Sequence, residues 1–261
     1  RNKIDCIIIA AAKVGGILAN KNFPAEFIYQ NLMIQCNIIQ AAHQNNIDDI
    51  LILGSSCIYP KYCKQPMKED YLLTGKLEPT NQPYALAKIA GIEMCKSYNT
   101  QYNRNYRCLM PPNLYGGNDN FNLITSHFYP AIIKKLFDAK LRKKNYITLW
   151  GTGKARRELM YVGDLAKAVV FFIETKTKKY LINVGTKSDK TIKQYANFLR
   201  KIIHPECKII FDNTKSDGTP RKLLNSNIAN KYGWRSKITL LKGTLKTIEI
   251  FKKRFKIYDY D

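Results

Sequence analysis

The chain has 261 residues, 45% of them hydrophobic, with its 10 prolines and 14 glycines scattered rather than clustered, so it can bury one large core or two smaller ones. No uninterrupted apolar run approaches the roughly 20 residues that a membrane-spanning helix needs, and the short stretch Ile7-Ile8-Ile9 behind Arg1-Asn2-Lys3 is too brief for a secretory leader. The formal net charge of +23 would attract any polyanion, but the lysines run from Lys3 to Lys256 without forming one basic block, which describes a basic surface open to small anionic ligands rather than a dedicated nucleic-acid face.

Apolar runs bounded by turn residues alternate with stretches of helical period, the pattern of crossover units on a parallel sheet. Residues 4–11 read as a buried strand. Residues 24–44 read as a helix, with Pro24 at its start and Phe27, Leu32, Ile38 and Ile39 on one face. A strand is expected over 49–54. The alanine-rich segment 84–102 is a helix with Pro83 in its first turn, and 107–110 returns as a strand stopped by Pro111-Pro112. Residues 113–126 read as a loop, 128–140 as a helix, and 147–150 as a short strand ending in Gly151-Thr152-Gly153. Beyond them come a helix at 164–174, a strand at 180–183, a helix at 191–203, a strand at 207–211 and two helices at 223–231 and 240–254.

The fold class expected is therefore α/β, a Rossmann-like doubly wound parallel sheet with a smaller C-terminal α/β substrate domain. Residues 1–117 and about 158–203 would form the Rossmann-like core, and about 118–157 with 204–261 the substrate domain. A dinucleotide-binding sheet normally opens with a strand, a glycine-rich turn and a helix whose N-terminus holds the pyrophosphate. Lys13-Val14-Gly15-Gly16 does not supply that fingerprint, so the N-terminal βαβ unit is expected to lie upstream of this sequence. Seven cysteines with no CxxC pair speak against a disulfide framework or a zinc cluster, no metal site is expected, and a reducing, cytoplasmic compartment fits.

Tyr84 and Lys88 lie four apart and share a helix face, where an ammonium can lower a phenol from its reference of about 10 and make it a proton donor. A solvated pair has the same spacing. Ser55 follows a strand at the carboxyl edge of the sheet, where its hydroxyl could polarise a carbonyl, although a serine-capped turn with Cys57 as a small buried apolar residue reads equally well. His127 alone is a helix-start residue. Arg157 suits a bidentate grip on a diphosphate or an ion pair with Glu158.

The segments LGSSCIYP, QPMKED, LEPTNQPYALAKIAGIEMC, NLYGGNDNF, SH and WGTGKARRELMYVGDLA, in this order and spacing, resemble the GDP-L-fucose synthases of the extended short-chain dehydrogenase/reductase family over nearly the whole chain. The resemblance implies Ser55, Tyr84 and Lys88 as the reductase triad, with Cys57 and His127 as the acid/base pair of a 3,5-epimerisation, Cys57 the base and His127 the acid. It implies NADPH bordered by Leu53, Gly54, Ser55, Ser56, Lys88, Pro111, Pro112, Asn113, Leu114 and His127, with Pro112 standing where the family favours threonine. It places Lys135, Trp150, Arg157 and Asp217 near a GDP-sugar, and implies a homodimer with no membrane or specific nucleic-acid partner.

The implied reaction is NADPH-dependent 3,5-epimerisation and 4-reduction of GDP-4-keto-6-deoxy-D-mannose to GDP-L-fucose. A 4-epimerase or dehydratase of the same superfamily would share Tyr84 and Lys88 but need no second acid/base pair. An inactive fragment serving as a binding subunit is the alternative outside catalysis.

Overall fold

The computed structural model describes residues 3–257. A four-stranded parallel sheet is built from β1 (Cys6–Ile9), β2 (Asp49–Leu53), β3 (Asn105–Met110) and β7 (Leu181–Asn183), adjacent in that order, with Ile7 opposite Ile50, Ile50 opposite Tyr106 and Leu109 opposite Ile182. Successive residues of a strand face opposite sides, and the two sides are covered by different helices. Ile50, Ile52, Tyr106, Cys108 and Met110 pack on α2 (Pro24–Gln44) and α3 (Gln82–Tyr102). Leu51, Leu109 and Ile182 pack instead on α5 (Val162–Glu174), through Leu165, Ala168, Val169 and Phe172. Helices on both faces of a parallel sheet make the doubly wound arrangement expected. Each fully buried aliphatic side chain here contributes roughly 1.5–3 kcal/mol over its exposed state.

Helices α2 and α3 lie unusually close. The Cβ that a larger residue would add at Gly91 falls 2.5 Å from Gln35 Oε1, and Gln35 Nε2 donates to the Ala87 carbonyl at 2.8 Å. The remaining helices are α1 (Ile17–Asn22), α4 (Phe128–Leu141), α6 (Ile192–Ile203), α7 (Asn227–Lys231) and α8 (Leu240–Arg254). Thr191 and Gln194 form a capping box at the start of α6, and Thr239 accepts from the Lys242 amide at the start of α8. A second core joins α4, α6 and α8 to the parallel pair β5 (Tyr146–Trp150) and β9 (Lys208–Asp212).

Four short strands run counter to the sequence reading. β4 (Asn113–Tyr115) lies inside the expected loop, β6 (Arg156–Tyr161) and β8 (Asp189–Thr191) were not expected, and β10 (Arg221–Lys222) immediately precedes a stretch read as helix from residue 223. That stretch is extended because Leu223 and Leu224 are pinned from outside. The Met67 amide donates to the Leu223 carbonyl at 2.7 Å, and the Leu224 amide donates to Glu158 at 2.9 Å, so α7 starts only at Asn227. β6 is the hub: it pairs parallel with β4 and β10 and antiparallel with β8.

Glu158, fully buried on β6, also accepts from the Lys187 amide at 2.8 Å and from Thr186. Burial raises its pKa, and these amide and hydroxyl donors hold it down in part. Replacing Glu158 by alanine orphans buried amides on two neighbouring segments and is expected to cost roughly 3 kcal/mol, read as a lower midpoint in urea unfolding, with glutamine costing less.

Candidate active site

β2 ends at Leu53, and the chain passes through Gly54 and Ser55 into a tight turn over Ser56–Ile58. The Gly54 amide donates to Leu109 O at 2.9 Å and the Ser56 amide to Pro111 O at 3.2 Å, which lays this turn on the carboxyl end of β3. Ser55 Oγ accepts from the Cys57 amide at 3.2 Å, capping the turn and fixing the hydroxyl beside the thiol. This is the edge at which open parallel sheets hold ligands.

Tyr84 and Lys88 rise from one face of α3 onto the same turn. Lys88 is buried, its Nζ donates to the Leu53 carbonyl at 3.0 Å, and it lies 6.0 Å from the centre of the Tyr84 ring. The expected acidification of Tyr84 by Lys88 is not found. Burial and then the negative charge of Cys57 raise the phenol pKa, offset only by a hydrogen bond with Ser55. The ammonium is engaged with Leu53 O, and desolvation brings its own pKa down to about 8. In this state Tyr84 is a fully loaded proton donor rather than a strong acid.

Cys57 is half-buried. Burial pushes the thiol up, but Lys222, Ser55 and Arg157 together bring it below the ordinary thiol value. His127, at the N-cap of α4 with its side chain free of capping, has its pKa lowered by burial first and by the Lys222 charge second. The same lysine thus acts on both members of the acid/base pair.

Arg157 does not pair with Glu158. Its guanidinium donates to the carbonyls of Thr219 at 2.6 Å, Arg156 at 2.8 Å and Asp217 at 3.3 Å, which clamps the 217–219 segment against β6. Asp217 accepts from the Thr152 amide at 2.8 Å and hydroxyl at 2.6 Å across the glycine turn. Gly151 has φ +79° there, and a Cβ on it would stand 2.2 Å from Asp217 Oδ1, so both the turn and the contact need glycine. Trp150 is 51% exposed with Lys215 over its ring, and Lys135 donates to Thr148 O at 2.7 Å.

All of these side chains border one cavity of about 770 Å³. It brings together Ser55, Cys57, Tyr84, Lys88 and His127, the strand-end segments 53–56 and 111–114, and Lys135, Trp150, Arg157 and Asp217. None of the sequence-derived residues lies elsewhere. The cavity also holds residues that the sequence reading passed over: Asn81, Lys222, Ser126, and the loop of Gly15 and Gly16 leading into α1. Asn20 Oδ1, Asn81 Oδ1 and Ser126 Oγ are buried at its wall without a protein partner among the described residues. Orphaned polar atoms around a space of this size fit a large polar ligand such as a dinucleotide with a nucleotide sugar.

Residues 1–185 match the model of the NAD dependent epimerase/dehydratase family. The GDP-L-fucose synthase of Escherichia coli is 48% identical over 258 residues, covering 95% of this chain and 80% of that protein. That of Sinorhizobium fredii is 45% identical, covering 96% and 80%. Among solved structures, a GDP-mannoheptose C4 reductase from Campylobacter jejuni with NADP bound superposes with a TM-score of 0.83 at 33% identity, over 95% of this chain and 81% of that one.

Proposed function

The chain belongs to the NAD dependent epimerase/dehydratase family, and within it to the GDP-L-fucose synthases, and we propose how its own residues divide the work of converting GDP-4-keto-6-deoxy-D-mannose to GDP-L-fucose. The observation that carries this reading is that Ser55, Tyr84 and Lys88 share one cavity with Cys57 and His127. A plain 4-epimerase needs only the first three.

The protons on C3 and C5 of the sugar flank a ketone, so a base can remove each of them if the enolate oxygen is stabilised. Cys57, with its lowered pKa, is that base, and Ser55 and Tyr84 present hydroxyls to the oxygen. His127 returns protons on the opposite face. Burial and the Lys222 charge depress its pKa, so its imidazolium gives up a proton readily. Residues 53–56, Lys88, 111–114 and His127 would border NADPH, which would supply the hydride for C4. Tyr84 then gives its proton to the C4 oxygen.

Lys135, Trp150, Arg157 and Asp217 form the sugar-nucleotide side of the cavity. Exposed Tyr29 and Met33, one turn apart on α2, support a homodimer through this helix. No described helix is long and apolar enough to cross a membrane. Seven free cysteines support a reducing, cytoplasmic location. Incubating the chain joined to a restored N-terminal βαβ unit with the keto sugar and NADPH is expected to consume reduced cofactor and yield a sugar inverted at C3 and C5. Consumption giving an uninverted product would overturn the assignment of Cys57 and His127.

A further inference from the structure

Strands β6 and β10 run parallel with Arg156 opposite Arg221 and Arg157 opposite Lys222. Adjacent residues on a strand face opposite ways, so these four cations separate into two pairs. Arg156 and Arg221 share the one carboxylate of Asp189, at 2.9 and 2.7 Å, outside the site. Arg157 and Lys222 border the cavity, and among the described residues neither has a carboxylate within ion-pair distance. Lys222 Nζ instead lies 3.0 Å from Cys57 Sγ.

An ammonium carries three donors and no acceptor, so the sulfur must be the acceptor in this contact. On another side, Asn81 Nδ2 donates to the same sulfur at 3.3 Å. The backbone that carries this side chain is held by buried Glu78, which accepts from the Thr80 and Asn81 backbone amides at 3.0 and 3.2 Å. A neutral thiol with these two donors has no acceptor for its own proton in either of them, whereas an anionic sulfur satisfies both.

We propose that Lys222 and Asn81 form a two-donor cradle that keeps the Cys57 sulfur as the thiolate, which makes them positioning residues for the proton removal assigned above, on which this inference rests. Every charge facing the sulfur is consistent with it. Lys222 from β10 and Arg157 from β6 are cationic, Ser55 hydrogen-bonds it, and Tyr84 is a neutral phenol with a raised pKa. The carboxylates Glu78 and Asp217 act on Arg157. The Lys222 charge that favours the thiolate also adds to burial in disfavouring the imidazolium of His127, so one side chain acts on both catalytic groups in opposite senses.

The test follows the rate of iodoacetamide alkylation of Cys57 against pH in the ligand-free chain, with the modified peptide quantified by mass spectrometry to separate it from the other six thiols. In the parent chain the midpoint is expected below the reference of about 8.5, and in Lys222→Met about one pH unit or more higher, with roughly tenfold slower alkylation at neutral pH. Lys222→Arg should restore the low midpoint. Asn81→Asp, nearly isosteric but anionic, should raise it, and an unchanged midpoint there would remove Asn81 from the cradle. Equal midpoints in the parent and Lys222→Met, or a shift in Lys222→Arg as large as in Lys222→Met, would overturn the proposal. Circular dichroism of each variant separates loss of fold from loss of charge. Alkylation needs neither sugar nor cofactor, so a wrong substrate assignment would leave these midpoints standing while the keto-sugar assay failed.

Discussion

Replacing Cys57 with serine is expected to slow solvent deuterium incorporation at C3 and C5 of GDP-4-keto-6-deoxy-D-mannose by roughly 10²-fold or more. The measurement is made in deuterated water without NADPH, by mass spectrometry or proton NMR of the recovered sugar, so the epimerising step is isolated from reduction. Serine keeps nearly the same volume, and the Ser55 cap of this turn is made to the backbone amide of residue 57, which the substitution leaves in place. Stability should therefore change little. What is lost is an ionisable atom: a hydroxyl cannot become an anion beside Lys222 at neutral pH as the sulfur can. Unchanged exchange would mean that the thiol is not the base.

Tyr84→Phe is expected to lower the reductive step by roughly 10²- to 10⁴-fold, because the C4 oxygen loses its proton donor. Exchange at C3 and C5 should fall less, since Ser55 still offers a hydroxyl to the enolate. Reduction by the parent chain should also weaken as pH rises through about 8, where Lys88 gives up its charge. The sign follows from the direction of the shift. Burial brings the Lys88 pKa down from the ordinary lysine range, so the ammonium is present below about 8 and absent above it. Single-turnover reduction measured against pH reads this limb directly, and a flat profile through that region would contradict a role for the ammonium.

The fold was legible where local signals and tertiary packing agree. Pro24 and the spacing of Phe27, Leu32, Ile38 and Ile39 define α2, and α8 runs over Leu240–Arg254 as expected, behind the Thr239 cap. β6 was hidden because Arg156, Arg157 and Glu158 read as surface charge. Their placement, with Arg157 and Glu158 buried, depends on acceptors and donors supplied by segments distant in sequence, Asp189, the 217–219 carbonyls, and the amides of Lys187 and Leu224. β10 is two basic residues long and carries no periodicity to read.

The site divides in the same way. Ser55, Cys57, Tyr84, Lys88 and His127 stand within motifs whose order and spacing carry a family resemblance, and the chain brings them to one cavity. Lys222 stands outside every such motif, and its place beside Cys57 follows from the register of β10 on β6. Asn81 lies inside the LEPTN segment, but its carboxamide becomes meaningful only once the turn after β2 is folded beneath it. The direction of the Tyr84 shift also escaped the sequence, because a spacing of four shows proximity to Lys88 but not that the ammonium is turned toward the Leu53 carbonyl.

The alternation along β6 and β10 has a consequence for how ligands arrive. With Asp189 offsetting one charge of the outward pair and no carboxylate in ion-pair contact with Arg157 or Lys222 among the described residues, the mouth of the cavity is left cationic, and a diphosphate is steered toward it before any contact forms. Capture of the sugar nucleotide is thereby a function of ionic strength: added salt slows the encounter, while the chemistry inside, shielded from bulk ions, proceeds at its own pace.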